Sequence, residues 1–189
     1  MTASVLFFAV LSDAPVDNAL QWSVEPEAFP RLTELGWIWQ GRSKSACAAR
    51  EDYWERLGEF LDDCYDADLL CGCSLHTGVS LIKAEILRSY GPEYYREMAI
   101  GEALHKRKRI DLAQSSRQWV EARRQDGRLR YPGIADIYSR CFPGQPLPAL
   151  DSALQRAAAI QQCLPRLVLE GLVELKQREY AENGPNSGI

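Results

Sequence analysis

The sequence predicts a single α/β domain built on a mixed sheet, and three observations carry that expectation. A short apolar run, VLFFAVL from Val5, reads as a buried strand and breaks into the turn signal Ser12-Asp13-Ala14-Pro15. Strand-like stretches come first and then alternate with amphipathic helical ones, which is the pattern of helices packed on a sheet. Apolar residues make up 46% of the 189 and charged residues 25%, enough to bury the core of one ordinary domain and too apolar for a disordered chain.

The elements follow in order. Residues 4–11 form the first strand, and residues 11–30 are a polar, proline-bearing connection. In RLTELGWIWQG the apolar residues Leu32, Leu35, Trp37 and Trp39 alternate, so this is a second strand or a strand pair. Trp37 and Trp39 then share one face, where core packing is the expected use; an exposed aromatic edge would instead suit a protein partner. Phe7, Phe8, Trp22 and Trp54 also read as core. GRSKSACA is a turn that leads into a short strand. Tyr53, Trp54, Leu57, Phe60, Leu61 and Cys64 recur at helical spacing. DLLCGCS is a short apolar strand. SLIKAEILRSYG is a helix with Leu81, Ile82, Ile86 and Leu87 inward, ended by Gly91-Pro92. Residues 93–116 are helical or irregular and run into a strand at RIDLA, and residues 118–133 form an arginine-rich loop. GIADIYSRCFPG is a short helix closed by Pro143-Gly144. PALDSALQRAAAIQQCLPRLVLEGLVEL is a long helix that Pro165 is expected to kink or split. The domain spans 1–175, and the polar tail 176–189 is expected to fray.

Several classes are set aside by composition. No run of eighteen or more apolar residues exists, so no membrane span is expected, and the apolar run at the N-terminus is too short and lacks the basic flank of a secretory signal. A cytoplasmic protein is the expectation. Its six cysteines, Cys47, Cys64, Cys71, Cys73, Cys141 and Cys163, contain no CxxC pair and suit small buried hydrophobes in a reducing compartment. The stretch C-G-C-S-L-H brings Cys71, Cys73 and His76 together, but a fourth metal ligand is absent and the spacing is not that of a zinc site. A buried strand ending near a surface histidine accounts for it, and no metal or other cofactor is expected. The net charge of −4 argues against a free-standing nucleic-acid binder, so any such contact must come from a local patch or through a partner.

Four segments resemble, in order, the DnaQ-like 3′–5′ exonucleases of the DEDDh type, whose domain has the RNase H-like fold. FPRLTELGWIWQG is similar to their second strand with its preceding Pro-Arg pair. ADLLCGCSLHTGVSLIKAEILRSYG resembles the strand, loop and helix that carry H-N-x-x-F-D and A-E-x-L-R, with Lys83-Ala84-Glu85-Ile86-Leu87-Arg88 fitting the latter. RIDLAQSSRQWVEARRQDGRLRYPGIADIYSRCFPG resembles the next block, and PALDSALQRAAAIQQCL the final helix with its H-D-A-x-x-D entry. The resemblance spans about residues 4–170 and implies an RNase H-like mixed sheet flanked by helices.

It also implies chemistry. Four acidic residues of that family hold two divalent ions, and a histidine is the general base. Transferred residue by residue, the first two acids fall on Ala9 and Leu11 and the third on about Gly78. The histidine falls near Asp151 and the last acid on Arg156. Alanine and leucine supply no oxygen to a hard cation, and an arginine brings positive charge where a metal would sit. Asp13, Asp17, Asp151 and His76 remain near these segments, but Asp13 reads as a turn residue, Asp151 as an N-cap and His76 as a surface residue. The expectation is therefore a scaffold without its catalytic residues.

A basic run, His105-Lys106-Arg107-Lys108-Arg109, precedes a loop with Arg123, Arg124, Arg128 and Arg130. With Trp119 and Tyr131 these could form one basic, aromatic patch for nucleic acid, to which Arg156 could add a phosphate contact; a solvated charged surface is the plain alternative. Three functions follow: a non-catalytic subunit or adaptor bound to a protein in a nucleic-acid-handling complex, alone or as a homodimer; a stand-alone DNA- or RNA-binding module; or a working exonuclease with displaced ligands.

Overall fold

Five strands form one mixed sheet in the order β3-β2-β1-β4-β5. The computed structural model describes residues 3–16, 25–105 and 108–175. β1 (Val5–Ser12) is the central strand, antiparallel to β2 (Leu32–Trp39) and parallel to β4 (Leu69–Gly72). β3 (Arg42–Cys47) closes one side against β2, and β5 (Lys108–Asp111) the other, parallel to β4. The helices are α1 (Tyr53–Asp66), α2 (Leu75–Glu97), α3 (Ile100–His105), α4 (Leu112–Val120), α5 (Ile134–Cys141) and α6 (Ala153–Leu169). This is the mixed, helix-flanked sheet of the RNase H-like fold, as expected.

β1 is flanked by strands on both sides, so each of its faces needs a cover. Alternate residues supply it. Leu6 and Phe8 enter a core with Leu35, Trp37 and Trp39 from β2, Leu57 and Phe60 from α1, and Ile82 and Ile86 from α2. Phe7 and Ala9 face a second core with Cys71, Ile110, Ile137, Ile160 and Leu164, roofed by α5 and α6. Trp37 and Trp39 are buried, so their shared face is core. Trp37 meets the Phe60 ring edge-on at 5.4 Å, and its indole N–H donates to Asp63 at 2.7 Å. Among the described residues, no helix is long and apolar enough to cross a membrane. Trp22, Asp17 and the tail 176–189 lie outside the described residues.

Four local expectations change. β3 is a full strand, because Gln40 and Gly41 both take positive φ (49° and 75°) and make a two-residue hairpin that puts Arg42 opposite Trp39. The strand expected at RIDLA stops at Asp111, and Leu112 begins a helix that continues through the expected loop to Val120. The Asp111 carboxylate accepts from the Ala113 and Gln114 N–H groups, so the strand's last residue is the helix's cap. α6 is not split at Pro165; it runs to Leu169, with Pro165 lying near its C-terminal end. Its N-cap is Ser152, which forms a capping box with Gln155, and not Asp151.

Gly91-Pro92 acts as the sequence indicates. Gly91 takes φ 79° and ψ 173°, which breaks the helical path inside α2 and turns residues 92–97 in a new direction.

Candidate functional site

In open α/β sheets ligands bind beyond the carboxyl ends of the strands. Here the ends of β1, β4 and β5 meet the first turns of α2, α4 and α6. Ala9 lies on the α6 face of β1 and pairs in register with Gly36, over which α6 crosses at Ala153 and Leu154. Leu11, two residues on, follows on that face. Arg156 lies in the early turns of α6, and its Nε–H donates to the Leu150 carbonyl at 2.8 Å, so this guanidinium fastens the entry to its own helix. Ala9, Leu11 and Arg156 are thus gathered around one strand end. Gly78 is not among them. A Cβ there would meet the Phe8 ring at 3.2 Å and Val10 at 3.6 Å, on the opposite face of β1. Asp151 is exposed, and its backbone N–H donates to Gln155 Oε1 at 2.9 Å.

Two acids that no sequence motif marks come to this region. Asp111 ends β5, and its carboxylate accepts from the N–H groups of Ser74 and Leu75 at 3.0 and 2.8 Å as well as those of α4. One side chain thereby caps the start of two helices, and it explains why α2 begins at Leu75, five residues before the expected start at Ser80. Asp136 accepts from both Arg130 nitrogens, at 2.8 and 3.0 Å, and from the Gly133 N–H at 2.8 Å. Burial works against its charge, but the Arg130 guanidinium and the Gly133 N–H prevail and hold its carboxyl below the usual range. Both carboxylates are engaged by donors of the fold. Asp111→Ala should cost about 2 kcal/mol in urea unfolding, since an ordinary N-cap contributes about 1 and this one serves two helices. Asn, also a good cap, should recover part of it.

The cysteines here are not poised as ligands. The Cys73 thiol is pushed up to about 12, by burial first and then by the charges of Asp111 and Asp136, with Arg156 opposing. Burial likewise raises Cys71. His76 is exposed on the first turn of α2, with Nδ1 3.4 Å from the Ser80 hydroxyl. Among the described residues no group of three or more His, Cys, Asp or Glu side chains could hold a metal ion. Asp13 closes a loop, accepting from the Arg31 N–H at 2.8 Å while its own N–H donates to the Arg31 carbonyl.

The expected single basic patch is divided. Residues 122–130 form a small hairpin: Arg123 pairs with Leu129, Arg130 N–H donates to Ala122, and the turn closes at Gly127 with φ 80°. Arg123, Arg124 and Arg128 are exposed on it, whereas Arg130 is bound to Asp136. Each neighbouring aromatic already carries a cation: Arg117 lies over Tyr131 at 4.5 Å and Arg140 over Trp119 at 5.2 Å. A 430 Å³ hollow beside the hairpin is bordered by Asp136, Arg140 and Leu147. This cluster belongs to the α4–α6 side of the sheet. Arg109 instead stands opposite Leu70, whose side chain lies in the core beneath α1 and α2, and it projects toward α2 and α3. Lys108 reaches the Glu174 carbonyl at 3.4 Å and ties down the chain beyond α6. Lys106 and Arg107 lie outside the described residues. The separation follows from the strand itself, whose successive side chains point to opposite faces.

No protein-family model matches the chain, and a search of the curated proteins finds no match.

Proposed function

We propose that this chain is an exonuclease-like protein that has given up catalysis and serves as a non-catalytic subunit or adaptor in a nucleic-acid-handling complex. One observation carries the reading. Where relatives of the resembled family would gather carboxylates around metal ions, this chain offers Ala9 and Leu11, and the two acids near that strand end, Asp111 and Asp136, are taken up by N–H groups and a guanidinium. A carboxylate committed to capping two helices cannot turn to a cation without releasing the cap. The six free thiols support a reducing, cytoplasmic setting.

The test has two arms. Pure protein with end-labelled single- and double-stranded DNA or RNA and Mg²⁺ or Mn²⁺ should show no trimming from the 3′ end. Calorimetric titration with Mn²⁺ should show no pair of sites at micromolar affinity. Metal-dependent trimming would overturn the reading.

The arginine hairpin favours a second reading, a module that binds nucleic acid by itself. Arg123, Arg124 and Arg128 stand exposed at one tip held on two helices, which suits contact with a phosphate backbone. If so, a gel shift should weaken with salt, and replacing the three by glutamine should lower the slope of log affinity against log salt by roughly one for each phosphate no longer neutralised. An unshifted probe, with the protein eluting in a larger assembly, would favour the adaptor.

A further inference from the structure

We infer that the cavity between α2 and α3 is a binding site for a nucleoside phosphate, with Lys83, Arg96 and His105 as its phosphate-facing groups. The cavity has a volume of 520 Å³ and is lined by these three side chains with Tyr95, Glu102 and the small residues Ala99 and Gly101. It lies on the α1–α3 side of the sheet, away from the Ala9 strand end and the arginine hairpin. The inference therefore does not depend on the loss of catalysis.

The chain goes out of its way to build this place. Lys83 and Tyr95 are twelve residues apart, about 18 Å along a straight helix. Yet the Lys83 ammonium lies 5.7 Å from the centre of the Tyr95 ring. The break at Gly91 folds residues 92–97 back and makes that contact possible. Ala99, on the cavity wall, takes φ 49°, which a residue with a Cβ adopts rarely, and its carbonyl starts α3 by accepting from Glu102 and Ala103. These two turns bring Arg96 and His105 to the same opening as Lys83.

Charge is the second observation. The protein is acidic overall, and elsewhere its basic residues commonly find carboxylates: Arg31 and Arg88 with Glu85, Lys44 with Asp63, Arg56 with Glu59, Arg130 with Asp136. Around this cavity, among the described residues, Lys83, Arg96, His105 and Arg109 make no ion pair, although Lys83 is half-buried. Burial first, and then the charges of Arg109, Lys83 and His76, hold the His105 imidazole below its usual range, which reports how crowded with positive charge the site is. Glu102 is the acid on the wall. A cluster of this kind is relieved by a dianion. A phosphate monoester carries about −1.5 to −2 at neutral pH and several strong acceptors, and arginine recognises it well. The volume exceeds what a bare phosphate fills and lies within the range of small-molecule sites. Burial keeps the Tyr95 phenol protonated, leaving a donor and an apolar ring for the nucleoside.

Calorimetric titration of the whole chain with inorganic phosphate, a nucleoside monophosphate and a 5′-phosphorylated oligonucleotide tests this. The expected result is binding of the nucleoside monophosphate more tightly than phosphate, weakened at least tenfold in the double variant Lys83→Met/Arg96→Gln. The thermal midpoint of that variant should be nearly unchanged, because neither side chain makes an ion pair. His105→Asn should weaken binding by a smaller factor. Binding of the oligonucleotide above that of its 5′-hydroxyl twin, lost in the same variant, would assign the source to a strand end. Absence of binding by all probes at millimolar concentration, or affinity untouched by the double variant, would overturn the inference. Trimming of DNA in the separate assay would leave it standing.

Discussion

Replacing Arg88 by alanine should lower the unfolding free energy by about 3–5 kcal/mol, the range for stripping one partner from a buried ion pair. Arg88 is nearly enclosed, with a side chain only 3% exposed. Its guanidinium donates to the carbonyls of Pro26, Phe29 and Pro30, at 2.8, 2.9 and 3.3 Å, and to the Glu85 carboxylate one helical turn away. Without it, three carbonyls lose their donor, and the buried Glu85 keeps only Arg31, at 3.8 Å and well exposed. Arg88→Lys preserves the charge but not the planar fork that reaches several acceptors at once, so it should fall between wild type and alanine. The double change Arg88→Met/Glu85→Met removes both charges and should cost less than Arg88→Ala alone. Urea denaturation measures all three; a loss below about 1 kcal/mol for the alanine variant would sink the clasp.

The clasp explains why two distant motifs of the sequence belong together. Phe29-Pro30-Arg31 leads into β2, and Lys83-Ala84-Glu85-Ile86-Leu87-Arg88 lies on α2. Arg88 fixes the chain entering β2 to the helix beneath it, so the strand starts at a defined height against the core. In the sequence the two stretches resemble separate segments of one family. Their shared physical content is this one buried contact.

The second large effect is expected at Gly36. Gly36→Ala should cost about 3 kcal/mol or more, at the upper end of what overpacking does, because the obstruction is backbone. An ideal Cβ at Gly36 would stand 2.2 Å from the Leu154 nitrogen and 2.5 Å from Ala153 C and Leu154 Cα. No side chain can swing aside; α6 itself must lift off the sheet. Its departure would disturb the Ser152 capping box and the Arg156 hydrogen bond to Leu150, and it would open the core around Ile160 and Leu164. Near-UV circular dichroism should report it through Trp37 and Trp39 on the same strand. Gly58→Ala is the matching control. It lies within α1 with nothing near the added methyl, and it should stabilise by about 0.5–1 kcal/mol through helix propensity alone. A Gly36→Ala protein as stable as wild type would mean that α6 does not approach β2 this closely.

Much of this architecture is legible from local pattern. Apolar alternation in residues 32–39 and helical spacing in residues 53–64 each repeat a signal that the backbone geometry imposes, so β2 and α1 fall where expected. Gly91-Pro92 marks its break because few other residues tolerate that conformation. The misplacements share a cause. α2 starts at Leu75 and α4 at Leu112 because one carboxylate, Asp111, caps both, and one of those helices lies 36 residues upstream in the chain. No window of sequence holds that information. The single basic patch fails for a related reason. Closeness in the chain does not put residues on one surface: Arg109 points to the α2–α3 face, while the hairpin grows from α4 and α5.

By itself, then, the sequence determined the class of fold, the order of most elements, and which side chains stand at the strand end where chemistry would be done: Ala9 and Leu11 are read directly from the chain. The tertiary structure alone decided what the remaining charged groups are for. It turned Asp111 and Asp136 into caps, Arg88 into a clasp and Arg156 into a fastening for its own helix, while leaving Lys83, Arg96 and His105 around a shared cavity. The reason is physical. Periodicity is a property of neighbouring residues, whereas the role of a charge depends on which donors, acceptors and counter-charges the fold brings within a few ångströms of it.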